Sequence, residues 1–437
     1  MEVEPPHESA RLAPAPPVPA SGARRLLQLA LVDLGPLRRH REFRLLVACR
    51  AVSFLGSMVT YVAIPYQVYR LSGSSLVVGL LGLAELVPLL ATAFLGGALA
   101  DAVDRRKMVR LTEAALAGAS GVLLANSALW SPQLWVLFVV AAAMAALDGL
   151  QRPSLEALEP RLVDRDELPA AAAISSLVVT AGMVGGPALG GGLIATVGLP
   201  ATYGFDIATF GVSLLALGRM RAVPPPAGAD RPTLGSIFDG FRYARGRPEL
   251  LGTYSVDIVA MFFGMPEALF PAFAVELGGG ATLLGLLYAA PAAGAMLATA
   301  TSGWVGRVRR QGAAVCVAAA GWGVGIIVLG VAPGAAVALA GLALAGFADM
   351  VSGIFRGTIW NQTIPDRLRG RLAGIEQVSY SAGPLLGDVE AGVVASLAGV
   401  RASIVSGGVV CVAGVAVVTA LLPAFRRYER LPVASGA

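Results

Sequence analysis

Charge is scarce in this chain. Only 14% of its 437 residues are Asp, Glu, Lys or Arg, against about 25% in a typical soluble domain. Histidine is scarcer still. His7 and His40 both precede the first long apolar run, which excludes a histidine proton relay inside the apolar runs and leaves no nucleophile–histidine arrangement for an enzyme. Cys49, Cys316 and Cys411 are the only cysteines. Each lies inside an apolar run and reads as a small packing residue, with neither disulfide nor metal spacing. Lys107 is the only lysine, so arginine carries nearly all the positive charge. No phosphate-cradling loop is present, and no cofactor is implied.

Apolar side chains fill the space that charge leaves. They make up 56% of the chain, and the mean hydropathy is +0.72. A soluble core would have to be very large to hide that surface. With lipid as the solvent, each spanning segment must satisfy its own backbone hydrogen bonds. Apolar runs of about 20 residues, the length that crosses a bilayer as a helix, recur from Leu45 to Leu422. They predict twelve spans near 43–69, 76–97, 109–129, 134–157, 169–196, 200–219, 249–275, 282–304, 313–332, 335–359, 372–398 and 402–422. The fold class is therefore an all-α membrane protein.

The net charge of +5 does not indicate nucleic acid, because the basic residues lie in short segments between spans. Arg50, Arg152 and Arg356 fall within spans, and only Arg70 and Arg401 lie on the side facing away from the N-terminus. The positive-inside rule then places both termini in the cytoplasm. Residues 1–22 are rich in Pro and Ala and read as a disordered tail with no cleavable signal peptide. Leu26–Val32, after Arg24 and Arg25, is too short to span and reads as a surface segment.

The chain divides into a cytoplasmic tail (1–42), a six-helix half (43–219), a cytoplasmic linker (220–248), a second six-helix half (249–422) and a tail (423–437). In the linker, Leu234, Ile237, Phe238 and Phe241 share one helical face, the pattern of an amphipathic helix on the membrane surface. The halves repeat. Gly97-Ala-Leu-Ala-Asp101-Ala-Val-Asp-Arg105-Arg106 follows span 2, and Gly303-Trp-Val-Gly-Arg307-Val-Arg309-Arg310 follows span 8 at an offset of 206. Pro160 and Pro365 are offset by 205, and Arg152 and Arg356 by 204. Two pseudo-symmetric six-helix halves are a transporter architecture, with the binding site between them near the midplane.

Gly97-x-x-x-Asp101-x-x-x-Arg105-Arg106 resembles the helix 2–3 loop of the major facilitator superfamily, although the family usually has Gly where this chain has Asp104. The resemblance implies a conformational latch of Gly97, Asp101, Arg105 and Arg106. Asp101 would meet the start of helix 11 near Leu372, and the arginines would pair with carboxylates below the adjoining span. Gly182-x-x-x-Gly186-Pro187-x-x-Gly190-Gly191 in span 5 resembles the helix-5 motif of the family's antiporters, with an earlier glycine of that motif replaced by Ala173. Across 43–428 the chain is similar to the branch of bacterial enterobactin exporters and macrolide-efflux proteins. The segments that carry this likeness are Gly96–Asp101, Pro160–Pro169 and Pro365–Arg371. That branch implies a bacterial inner membrane, which suits an arginine-rich, high-GC composition. It also implies a monomer among membrane lipids.

An ionisable residue within a span costs roughly 2.5–3.5 kcal/mol on insertion scales and is a candidate functional group. The resemblance places helices 1, 4, 7 and 10 around the cavity, and all four carry charge: Arg50; Asp148 and Arg152, four apart and able to pair; Asp257 and Glu267; Asp349 and Arg356. Glu85, Glu376 and Asp388 are further candidates for substrate or proton coupling. Asp206 and Glu390 lie near the outer ends and read as solvated. An arginine that moves between states alters the protonation balance of a nearby carboxylate, which suits export of small amphiphilic molecules, siderophore or drug-like, in antiport with protons. An importer or facilitator of a small nutrient and a non-transporting receptor are the alternatives.

Overall fold

The computed structural model describes residues 33–102, 104–221, 242–243 and 245–429, with the side chains of 94–102, 366–371 and 373–379 outside that description. The amphipathic helix read in the linker falls almost entirely outside the described residues.

Twelve long helices follow in order: α1 (Arg41–Ser72), α2 (Ser75–Ala102), α3 (Arg105–Ser127), α4 (Leu134–Leu158), α5 (Leu168–Thr196), α6 (Gly198–Gly218), α7 (Pro248–Glu276, interrupted), α8 (Ala281–Ala300), α9 (Gln311–Gly330), α10 (Ala335–Thr363), α11 (Asp366–Ala398) and α12 (Val400–Leu421). Eleven of them are long and apolar enough to cross a membrane. The remaining one, α11, runs for 33 residues, about 50 Å at 1.5 Å per residue.

Loops are short where the sequence supplies the right ends. Gly73 ends α1 at φ 64°, its N–H bonded to the Tyr69 carbonyl, a left-handed cap that glycine adopts without strain. Asp104 caps α3, its carboxylate accepting from Lys107 N–H at 3.2 Å. The residue that departs from the family pattern therefore has a local role as an N-cap.

The seventh span is not one helix, as its apolar run suggested. It stops at Phe263 and resumes as a 3-10 turn at Glu267–Leu269 and a helix from Phe270 to Glu276. Pro266 supplies no N–H for continuation. The carbonyl of Gly264, freed by the break, accepts from the Trp322 indole at 2.8 Å, which satisfies a backbone group that lipid would leave unpaired.

Packing shows the repeat directly. In the first half the partners are α1 with α5 and α6, α3 with α4 and α6, and α2 with α4; adding six to every label gives the partners in the second half. The halves meet along α2 with α11 and α5 with α8, two seams exchanged by the same operation. Glycines set both. Gly191 of α5 and Gly285 of α8 cross so closely that a Cβ on either would lie 2.9 Å from the other's Cα. On the other seam, Gly79 and Gly82 of α2 face the α11 backbone at Asp388 and Leu385. The described contacts across the seams lie in the part of the bundle that carries the α1–α2 loop.

Candidate transport cavity

A cavity of about 520 Å³ runs between the halves, walled mainly by the first half, with the α7 break, Tyr288 of α8 and α11 closing it from the second. Its sides are apolar and aromatic: Phe54, Met58, Met144, Met183, Phe210 and Tyr380 are among them. Such walls with a few placed polar groups suit an amphiphilic guest.

Its floor, toward the α1–α2 loop, is acidic. Glu85 comes from α2, Glu267 from the α7 break and Asp388 from α11, and Glu267 lies within electrostatic range of both others. Tyr61 of α1 donates its phenol hydrogen to Glu267. Tyr288 donates to the Glu267 carbonyl at 3.1 Å and stacks edge-on against Tyr61, ring centroids 5.4 Å apart. Asp388 Oδ1 accepts from Ala268 N–H at 2.8 Å. The break in α7 therefore has a use: it turns backbone N–H groups and a carboxylate toward the cavity, which an unbroken helix could not do.

Toward the opposite end the cavity gains exposure and arginine. Arg50 pairs with Glu159 at 3.5 Å. Arg152 and Asp148 both line the cavity, but the pair expected between them does not form. Arg152 reaches forward to Glu156 at 3.3 Å instead, the two side chains 47% and 64% exposed. Both acids lie one turn from Arg152, and both are exposed, Asp148 toward the cavity.

The other charged candidates of the second half lie elsewhere. Arg356 pairs with Asp257 and lies 3.4 Å from Asp349, and none of the three lines the cavity. Arg356 and Asp257 are buried, 9% and 4% exposed. Arg152 and Arg356, equivalent in sequence, are thus a cavity-wall residue and an internal ion-pair residue respectively. The side chains of Glu376, Gly97 and Asp101 fall outside the described residues, so the Asp101 contact of the latch does too. Arg105 donates to the Ala157 carbonyl at 3.1 Å, and Arg106 to the Leu217 and Gly218 carbonyls at 2.8 and 2.9 Å. These bonds meet the C-terminal carbonyls of α4 and α6, where a cation is favoured. The helix-5 motif divides its work: Gly182, Gly186 and Gly190 admit Phe54, Met58 and Val59 of α1, while Pro187 and Gly191 face α8 across the seam.

Asp206 is a correction. It lies fully buried among α1, α3 and α6, not solvated at an outer end, because three hydroxyl residues surround it. Glu113 went unremarked in the sequence although it lines the cavity; the available signal was a carboxylate one turn inside the third span. His40, Asp164 and Glu167 come together near the start of α1. Arg39 shares Glu167 at 2.6 Å, so a guanidinium already sits where a metal ion would bring its charge.

Two six-helix halves related by a repeat, a cavity between them and charges on its wall define a multi-pass membrane transporter of the major facilitator type, not an enzyme. The chain belongs to the family described as Transmembrane secretion effector, whose model matches residues 32–434. It is similar to the enterobactin exporter EntS of Citrobacter koseri, 29% identical over 92% of this chain and 97% of the relative. The EntS of Escherichia coli O157:H7 is 28% identical over the same shares. Among solved structures, a POT peptide transporter shares the fold at a TM-score of 0.73 and 11% identity, covering 94% of this chain and 100% of that one. A bacterial homologue of the lysosomal transporter Spinster, inward-facing and unoccupied, does so at 0.70 and 17%, covering 90% and 98%.

Proposed function

We propose that the protein exports small amphiphilic molecules, siderophore or drug-like, from the bacterial cytoplasm by alternating access in antiport with protons. The observation that carries this reading is the carboxylate group of Glu85, Glu267 and Asp388, drawn from both halves at the closed end of the cavity. Like charges across a seam oppose its closure, and protons on them relieve the repulsion. Protonated, the floor closes and the cavity faces the end bearing Arg152 and Glu156. That end faces the cytoplasm if the arginine-rich loops do. Loss of the protons to that side favours opening at the other, and a guest bound in exchange leaves there. Proton entry and guest exit then share one cycle, because each shifts the same two-state equilibrium. Similarity to enterobactin exporters supports the outward direction.

The test uses proteoliposomes with the chain inserted in known orientation and an imposed pH gradient. Enterobactin and an uncharged amphiphile of like size are followed separately. Movement against proton flow, abolished by a protonophore, is expected. Movement in the same direction as protons would establish import, and binding without movement would establish a receptor.

A further inference from the structure

Two carboxyls lie within the first half, apart from the seam. Asp206 of α6 has no exposed surface, and Glu113 of α3 is 3% exposed. In each, one oxygen is supplied with hydrogen and the other is not. Asp206 Oδ2 accepts from Thr60 of α1 and Ser120 of α3, both at 2.6 Å. Its Oδ1 is buried and receives no hydrogen bond. Oδ1 faces Gly56 of α1, where a Cβ would lie 2.6 Å from it, and the hydroxyl of Thr209. That hydroxyl gives its hydrogen to the Asp206 main-chain carbonyl at 2.7 Å, so it turns a lone pair toward Oδ1. Glu113 repeats the pattern. Oε1 accepts from Gln151 at 3.2 Å, while Oε2 is buried without a hydrogen bond. Ser53 and Ser213 approach this carboxyl, but Ser53 donates to the Cys49 carbonyl at 3.1 Å and Ser213 shares a hydrogen with Cys49 Sγ at 2.8 Å.

The surrounding charges do not balance a carboxylate here. α3 presents Glu113 and α6 itself presents Tyr203. α1 turns Arg50 to Glu159 and Tyr61 to Glu267, leaving Cys49 as its ionisable group on this face. α5 carries no ionisable residue. An ionised acid in such a place is costly, and two are costlier. An acid hydrogen on Asp206 Oδ1 meets the waiting lone pair of Thr209, and one on Glu113 Oε2 meets those of the serines. Hydrogen bonding, burial and charge thus call for the same species.

We propose that Asp206 is a buried proton-binding site of the first half, holding a neutral carboxylic acid in this conformation, with Glu113 as a second acid between it and the cavity. Glu113 and Thr60 both line the cavity, so exchange with it runs past side chains that already touch the site. This site is separate from the seam carboxylates, and it stands or falls independently of the direction of transport.

The test is infrared difference spectroscopy on the full-length protein in lipid nanodiscs at neutral pH. Wild type minus D206N should show the carbonyl stretch of a protonated carboxyl, sensitive to deuterium exchange, and D388N should retain that band. Loss of an ionised carboxylate band in its place would overturn the proposal. T209V, which removes the acceptor, should move the band to higher frequency; an unmoved band would overturn it even if D206N fails to fold. Asn reproduces the neutral acid, accepting from Thr60 and Ser120 and donating to Thr209. D206N should therefore melt as wild type does and D206L should melt lower. D206N melting as low as D206L would mean an ion is required. Replacing sodium with choline should leave the melting temperature unchanged; a sodium-dependent rise abolished in D206N would identify a metal cation instead.

Discussion

Tyr61 of α1 donates to Glu267 in the break of α7, so a phenol of the first half holds a carboxylate of the second. A hydrogen bond between neutral groups, as in the protonated floor, is worth about 0.5–1.5 kcal/mol, and every 1.4 kcal/mol or so is a factor of ten. Tyr61→Phe should shift the balance by roughly two- to tenfold toward separation at this end. Spin labels at Ser74 and Ser396, on either side of the small pocket at the α1–α2 loop end, report it as a longer distance. An unchanged distance distribution would remove this bond from the closure.

The seam carboxylates lead to a variant with the opposite bias. Glu85→Gln combined with Asp388→Asn removes like charge across the seam. The α1–α2 loop end should then stay closed whatever the pH, with pH-driven flux lost and guest binding retained. Equal flux in variant and wild type, measured in proteoliposomes at matched protein content, would show that the seam charges do not drive the cycle.

We propose that the buried ion pair of Arg356 with Asp257 serves assembly of the second half. Replacing it with Gln removes the guanidinium that Asp257 pairs with in a buried setting, a loss of about 3–5 kcal/mol for pairs of this kind. The double variant Arg356→Gln with Asp257→Asn should recover most of the lost thermal stability, and transport with it. Failure to recover transport while stability returns would give these two residues a direct part in the cycle.

At Gly285 the prediction is steric. A side chain there meets the backbone of Gly191, with a Cβ 2.9 Å from its Cα. Gly285→Val should hold the α5–α8 seam apart and make a cysteine at Ser396 more reactive to an impermeant thiol reagent. Unaltered reactivity would mean that the seam accommodates the valine.

The sequence made the architecture legible because lipid leaves little choice: twelve apolar runs of bilayer length became eleven continuous helices and one broken one. The repeat was visible in Pro160 and Pro365, and packing reproduces it pair by pair. Side-chain partnerships were harder to read. Arg152 has acids one turn away on both sides, Asp148 and Glu156, and spacing alone does not choose between them. Both acids are exposed, so the choice is made by side-chain placement in the folded bundle, which spacing does not carry. Asp206 looked solvated because position along a helix gives depth but not which neighbours face it; Thr60, Ser120 and Thr209 come from three helices. The α7 break left a mark in Pro266, yet one proline inside an apolar run looks like any other, and Pro65, Pro187 and Pro291 lie inside helices that continue.

The crossing of Gly191 and Gly285 has a mechanical consequence. Two backbones in direct contact cannot slide far, but they can turn about the point where they touch, so each seam is a fulcrum. With lever arms of roughly 30 Å, the length of about 20 helical residues, a tilt of about 10° moves the far end by about 5 Å. That is the width of a methylene chain or the thickness of an aromatic ring. Under the alternating access proposed above, bulk at the fulcrum limits travel at both mouths together, and the size of molecule that can leave is set in part by two residues that never touch it.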